Sequence, residues 1–174
     1  MNSDLQHDTL TWYRSLQPVS LAEMVGLWKG TGIPSGHPLD GVLENLQWFG
    51  KRFHADLRAD ALLFQSRPGR LVAVEPAWIP IRIAIRSASF GRTSVARNWF
   101  GHLQKMLRAK GRTASLELRL FEGIESAAMV YDRQPITDYF RKISEAELAG
   151  MMVVKDDPRR YFFKLRRADA GDRF

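Results

Sequence analysis

The side chains that can do chemistry are few in this chain, and most stand apart from one another. There is no cysteine, so disulfides, thiolate metal sites and a cysteine nucleophile are all excluded. The four histidines, His7, His37, His54 and His102, show no H-x-H or H-E-x-x-H spacing, which leaves a zinc site unsupported. His37 sits in the turn sequence SGHPLD. There its ring either caps backbone groups at the start of the next helix or offers a polar group to a ligand. Lys51 follows Gly50, with Trp48 and Phe53 close by in sequence. Pointing inward, it would pair with an anionic head group in a pocket shaped by Trp48; pointing outward, it is solvated. The stretch MVYDRQPITDYF brings Tyr131, Asp132 and Asp138. Tyr131 ends an apolar run and can aim its hydroxyl inward. The two aspartates suit acid–base work, but Asp132 is equally a turn residue and Asp138 equally a cap or the partner of an arginine. G-x-S-x-G, P-loop and dinucleotide-binding fingerprints are absent.

These residues need a scaffold, and hydrophobic periodicity supplies its outline. Leu5, Leu10, Tyr13 and Leu16 recur at helical steps, and Ser20 with Glu23 forms a capping-box pattern before SLAEMV, so residues 1–25 are expected to be helical. A strand begins at Leu27. VLENLQWF reads as a turn or two of helix stopped by Gly50. Short runs with strand character follow: KRFHADL, ALLFQS, RLVAVE and WIPIRIAIR, with an RPG turn at 67–69. In the last of them Ile79, Ile81, Ile83 and Ile85 alternate with Pro80, Arg82, Ala84 and Arg86. Val95, Trp99, Leu103, Met106 and Leu107 then mark an amphipathic helix over 93–110 that Gly111 closes. ASLELRLFE, IESAAMVYD, LAGMMVVK and YFFKLRR return to strand alternation. The division is therefore one domain: strands over 26–91, a helix over 92–111, strands again over 113–167. About eight to ten short strands joined by tight turns suit a sandwich or a closed barrel.

Composition sets the remaining bounds. Of 174 residues, 45% are hydrophobic and 11% aromatic, as in a globular protein with an aromatic core or an aromatic-lined cavity. The N-terminus lacks an apolar core, and no apolar run is long enough to span a bilayer, so a cytoplasmic protein is expected. The net charge is +7. Between Glu75 and Glu117 no acidic residue occurs, while Arg82, Arg86, Arg92, Arg97, Lys105, Arg108, Lys110 and Arg112 do. Such a block is either a solvated face or a contact surface for an anionic partner.

The opening G-x-W-x-G-x-G, matched by Gly26, Trp28, Gly30 and Gly32, resembles the first strand of the calycin superfamily: lipocalins, fatty-acid-binding proteins and nitrobindin-type barrels. With SGHPLDGVLENLQWFGKRF and AAMVYDRQPITDYFRKI, the chain is similar over nearly its full length to an uncharacterised bacterial family named after its GxWxG domain. The resemblance implies a mainly β, calycin-like antiparallel barrel with an N-terminal helical segment and an inserted helix. It also implies that Trp28 plugs the closed end and stacks on a basic residue of the last strand. YFFKLRR offers Arg166 and Arg167 there, and Arg166 is taken as the partner. Nitrobindin-type barrels bind haem through a histidine of their C-terminal half. No histidine follows His102, so no cofactor is expected.

The expected function is binding of a small, mostly apolar ligand with an anionic or polar head, fatty acid or lipid-like, as carrier or sensor. His37, Trp48, Lys51, Phe53, Tyr131 and Asp132 are the candidate ligand-binding residues. The basic helix 93–110 would serve as a lid or as a portal facing an anionic membrane. The alternative is an enzyme on the same barrel using His37 or Asp132. Nucleic-acid binding through the basic block ranks below both, with Trp99 and Phe100 read as the buried side of the helix.

Overall fold

The computed structural model describes residues 2–67, 70–104 and 106–169; Lys105 and the Pro68–Gly69 part of the turn lie outside them. Two helices, α1 (Asn2–Ser15) and α2 (Leu21–Met24), come first. The capping box at α2 is formed: the Ser20 side chain accepts from the Glu23 amide, and Glu23 Oε2 accepts from the Ser20 amide at 2.9 Å. Nine strands follow: β1 (Gly26–Ile33), β2 (Trp48–Phe53), β3 (Arg58–Arg67), β4 (Arg70–Ala73), β5 (Ala114–Phe121), β6 (Ile124–Tyr131), β7 (Ile136–Lys142), β8 (Glu147–Val154) and β9 (Arg160–Arg167). Every pairing is antiparallel. β1, β2, β3, β5, β6, β7, β8 and β9 form a closed ring in that order, and β4 adds to β3. Closure gives each of those eight strands a partner on both sides, the β3–β5 seam through Arg58–Ser115 and Ala59–Ala114.

Alternation along the strands sorts the side chains. Tyr161, Phe163 and Leu165 of β9 join the main core with Phe140, Met152 and Phe53. Their neighbour Phe162 points the other way, under Tyr13 of α1, with Ala149 and Met151 beside it. α1 thus covers the outside of β8 and β9. β7, with its mixed sequence ITDYFRK, is absent from the strand runs expected above, although its residues 136, 138 and 140 are buried.

Three expected elements differ. WIPIRIAIR is not a strand: Pro76–Trp78 is a 3-10 turn, followed by α4 (Ile81–Arg86) and α5 (Ala88–Gly91). The same isoleucines that alternate also satisfy helical spacing. Ile81, Ala84 and Ile85 turn inward, while Arg82, Ile83 and Arg86 are exposed. Pro80 stands just before the first turn, where its missing amide costs nothing. VLENLQWF contributes only α3 (Val42–Asn45), after which Gln47 takes a positive φ of 62° and the chain enters β2. Finally, the helix expected over 93–110 is α6 (Ser94–Leu103), N-capped by Thr93. Gly111 does not close it. Residues beyond α6 run back along the sheet, Val74 bridging Arg108 and Ala109 N–H donating to the Ala73 carbonyl at 2.9 Å.

The G-x-W-x-G segment is explained by what fills the space its glycines leave. Trp28 is 1% exposed, and its Nε1 donates to the Met24 carbonyl at 2.6 Å, tying β1 to the end of α2. Its basic partner is Arg167, not Arg166: the guanidinium lies 4.3 Å from the indole centroid. The β1–β9 register decides this, because Trp28 is paired with Arg167 while Arg166 faces Lys29 and projects to the other side. Arg167 also donates to the carbonyls of Glu23 and Val25. A side chain at Gly30 would run into the Trp48 ring at 2.2 Å. In β2, Gly50 has φ +150° and passes so close to β1 that a Cβ would lie 2.0 Å from the Trp28 carbonyl oxygen. Only glycine serves there.

The loop between β1 and α3 is organised by Asp40, whose Oδ2 accepts from the amides of Ser35 and Gly36 at 2.9 Å and of His37 at 3.1 Å. His37 Nδ1 accepts from the Leu39 amide at 3.2 Å. Burial, and after it the charge of Arg159, pushes the imidazole down to about 4, so it is neutral in the folded protein near pH 7.

Two outcomes follow for stability. Arg167→Ala loses the cation–π contact and two carbonyl partners and costs about 1–2 kcal/mol in urea denaturation, whereas Arg166→Ala stays within about 0.5 kcal/mol. In the unfolded chain His37 titrates near 6.5, against about 4 in the fold. Its contribution is therefore complete above pH 6.5 and is lost as pH falls towards 4. His37→Asn, whose amide oxygen still accepts from Leu39, is expected to show a smaller loss of stability across that window than the parent protein.

Candidate functional site

Inside the barrel the expected register of β2 breaks. A regular strand would send residues 48, 50 and 52 to one face. Here the pairing with β3 shifts on both sides of Gly50, and the irregularity brings Trp48 and Lys51 together onto the interior wall. β6 contributes Tyr131 and β7 contributes Asp138; β9 contributes Tyr161 and Phe163.

Lys51 and Asp138 form a buried ion pair. Nζ lies 2.9 Å from Asp138 Oδ2, and the two side chains are 3% and 1% exposed. Nζ also donates to the Ala61 carbonyl at 2.9 Å and to Tyr131 Oη at 3.3 Å. Three aromatic faces surround the ammonium, Phe163 at 5.1 Å, Trp48 at 5.7 Å and Tyr131 at 5.7 Å. Tyr131 in turn donates to Asp138 Oδ2 at 3.4 Å. Its phenol is raised well above the ordinary range, first by burial and then by the Asp138 charge. Tyr161 is raised as well, chiefly by burial. Both hydroxyls are therefore donors at any physiological pH.

This cluster forms part of the wall of a cavity of about 120 Å³. The rest of the wall is mainly apolar: Leu62 and Phe64 of β3, Ile136 and Met152 of the far strands, and Leu39, Val42, Leu43 and Leu46 around α3. A helical cap closes it, with Pro76, Ile79, Ile81, Ala84 and Phe100 as its inner surface. Phe100 packs on Phe64, ring centroids 4.6 Å apart, and Gln134 fastens the β6–β7 turn to the cap by donating to the Pro76 carbonyl at 2.8 Å. Three side chains of the wall keep a buried polar atom with no hydrogen-bond partner among the described residues: Asp138 Oδ1, Trp48 Nε1 and Tyr161 Oη.

Of the residues singled out from sequence, Trp48, Lys51 and Tyr131 are brought together at this wall. His37, Phe53 and Asp132 are not among the residues that line it. His37 belongs to the Asp40 loop, its ring 5.5 Å from Tyr161. Phe53 packs edge-on against Phe140 at 5.5 Å. Asp132 accepts from Arg112 Nε at 2.9 Å near the surface. The residue undervalued in the sequence is Asp138, read as a cap or an arginine partner when its partner is Lys51. Its position opposite Met129 on an apolar strand pair is the signal that it faces inward. His102, the last histidine, is on the exposed side of α6. Among the described residues no group of three or more His, Asp or Glu side chains is placed to hold a metal ion.

Comparison with known proteins agrees with this architecture. The family described as GXWXG protein matches residues 11–69, and a domain of unknown function, DUF4334, matches residues 112–167. The curated proteins contain no match. A crystal structure of a protein from Thermomonospora curvata is similar at a TM-score of 0.68 and 28% identity, covering 94% of this chain and 87% of that one. The first match holds Trp28, Trp48 and Lys51; the second holds Tyr131, Asp138, Tyr161 and Arg167. The buried ion pair and the Trp28–Arg167 stack therefore each join one match to the other. The chain therefore holds a segment similar to the GXWXG family and a segment similar to DUF4334, closed together in one calycin-like antiparallel β-barrel.

Proposed function

We propose that the barrel binds a compact, mostly apolar molecule carrying one uncharged polar group, a hydroxyl above all. The observation behind this reading is that three side chains lining the cavity, Asp138, Trp48 and Tyr161, each keep a buried polar atom without a partner among the described residues. A buried polar atom without a partner costs about 1–3 kcal/mol, and a bound hydroxyl relieves that cost as donor to the carboxylate and acceptor from the indole or phenol. Charge supports the same reading. The Lys51 ammonium is already neutralised by Asp138, so an incoming carboxylate finds no spare cation and meets the second Asp138 oxygen. The head group is accordingly neutral rather than anionic. Size narrows the class further. A cavity of about 120 Å³ suits a molecule near the size of benzene, which fills a pocket of roughly 150 Å³ in another protein. A full acyl chain requires the cap to move.

An enzyme working in this cavity would draw on Lys51, Tyr131 and Asp138, since His37 and Asp132 stand outside its wall. Binding is the simpler use of the same groups, because the carboxylate and ammonium already satisfy each other.

Calorimetric titration with cyclohexanol, phenol and benzoate tests the reading. The two hydroxyl compounds are expected to bind at least about ten-fold more tightly than benzoate, and Asp138→Asn to erase most of that margin; equal or tighter benzoate binding would sink the proposal. The ion pair makes a separate prediction. Lys51→Met or Asp138→Asn alone strands a buried charge or polar group and costs about 3–5 kcal/mol in denaturant melts, whereas Lys51→Met with Asp138→Leu costs much less than the sum of the single changes.

A further inference from the structure

The cap has a second face. Its inner residues line the cavity, but its outer side exposes Trp78 and Trp99 at 66% each, Ile83 at 61%, Phe90 at 54%, Val95 at 53% and Met106 at 79%. The face of α6 expected to be buried, Val95, Trp99 and Leu103, is in fact turned outward, and Ala96, Phe100 and Gln104 are buried instead. Interleaved with these apolar residues are the exposed Arg82, Arg86, Arg97, Arg108 and Lys110. Residues 76–116 hold eight basic residues and no acidic one, so the remainder of the chain sums to −1 and this segment supplies the whole net charge of +7. The cap also lies between the two family matches, which end at 69 and resume at 112.

We propose that the outer face of the cap, residues 76–104 and 106–110, docks on an anionic lipid surface, with Trp78, Phe90, Val95 and Trp99 entering the head-group layer and the arginines meeting lipid phosphates. Exposed tryptophans among basic side chains are the composition of an interfacial helix surface. A second copy of the chain is a poor occupant, because a two-fold contact would set the same cationic residues against one another. Single-stranded nucleic acid is recognised by stacking on aromatic planes, yet much of this face is aliphatic: Ile83, Val95, Leu103 and Met106. Docking there would place the lid of the cavity against the bilayer, where apolar molecules partition; this last step rests on the binding role proposed above.

Flotation with phosphatidylcholine vesicles, with and without phosphatidylglycerol, tests the surface directly. The protein is expected to bind the anionic vesicles, to bind pure phosphatidylcholine far less, and to be released by salt. Arg86→Glu, Arg97→Glu and Arg108→Glu together lower binding on the order of a hundred-fold. Trp78→Ala with Trp99→Ala lowers it roughly ten-fold with an unchanged salt slope. All these positions are exposed, so unaltered thermal melts certify the variants. Equal binding to both vesicle types, no effect of the reversals, salt-dependent retention of a single-stranded oligonucleotide in place of vesicles, or a stable dimer that hides Trp99 would each overturn the proposal. Titration of the same samples with cyclohexanol separates the two readings: alcohol binding without vesicle binding removes the docking surface alone, and the converse removes the cavity ligand alone.

Discussion

A lysine and an aspartate 2.9 Å apart and almost wholly removed from water constrain the interior of this barrel. Moving either charge into an apolar interior costs several kcal/mol, and the cost is offset only when geometry and extra hydrogen bonds are both good. Here they are. The ammonium is held by the Asp138 carboxylate, the Ala61 carbonyl and the Tyr131 hydroxyl, with aromatic faces on three sides. The pair also fixes register. Sliding β2 by one residue would turn Lys51 to the outside and leave Asp138 charged in an apolar wall. The irregular pairing around Gly50 then has a reason: it lets Trp48 and Lys51 reach the same interior, and the close passage of β2 over the Trp28 carbonyl is open to glycine alone.

The same interaction shows what sequence reading reaches. β5, β6, β8 and β9 are legible because apolar and polar residues alternate or run together in lengths only a strand uses. The capping box of α2 is legible because it is local. The Lys51–Asp138 pair is neither local nor periodic: it spans 87 positions, and only the closed ring brings β2 across from β7. Hence Lys51, Trp48 and Tyr131 could be singled out by type while the aspartate that completes them was assigned an ordinary role. The Trp28 partner fails for a related reason. Alternation restricts it to one of two adjacent arginines, and the β1–β9 register selects Arg167.

The isoleucine run 79–85 marks a different boundary. Its pattern fits period two, and its β-branched residues favour strand. It nevertheless folds as helix, since Ile81 and Ile85 fall four apart on a face that the core can bury. Tertiary packing overrides propensity where the element is short. The reversed face of α6 has a similar origin: the cap has room inside for Ala96 and one large ring, Phe100 against Phe64, and none for Trp99.

Taken together, the glycines and the tryptophan of the opening motif are scaffold, and the scaffold explains where the chemistry sits. Trp28 and Arg167 lock the first strand to the last, and Gly30 provides the seat for Trp48. Trp48 in turn shields the ammonium of Lys51 from water. Each step removes solvent from the next, so the polar cluster ends in a wall of low dielectric where unpaired atoms are costly. The sides of that wall not built by the ring of strands are the α3 segment and the cap, and the cap carries the charge that the barrel lacks. A ligand entering through it would pass from a cationic, apolar outer face to a neutralised interior. Such an arrangement would select by polarity rather than by charge, because the cation in the cavity wall already has its counter-ion.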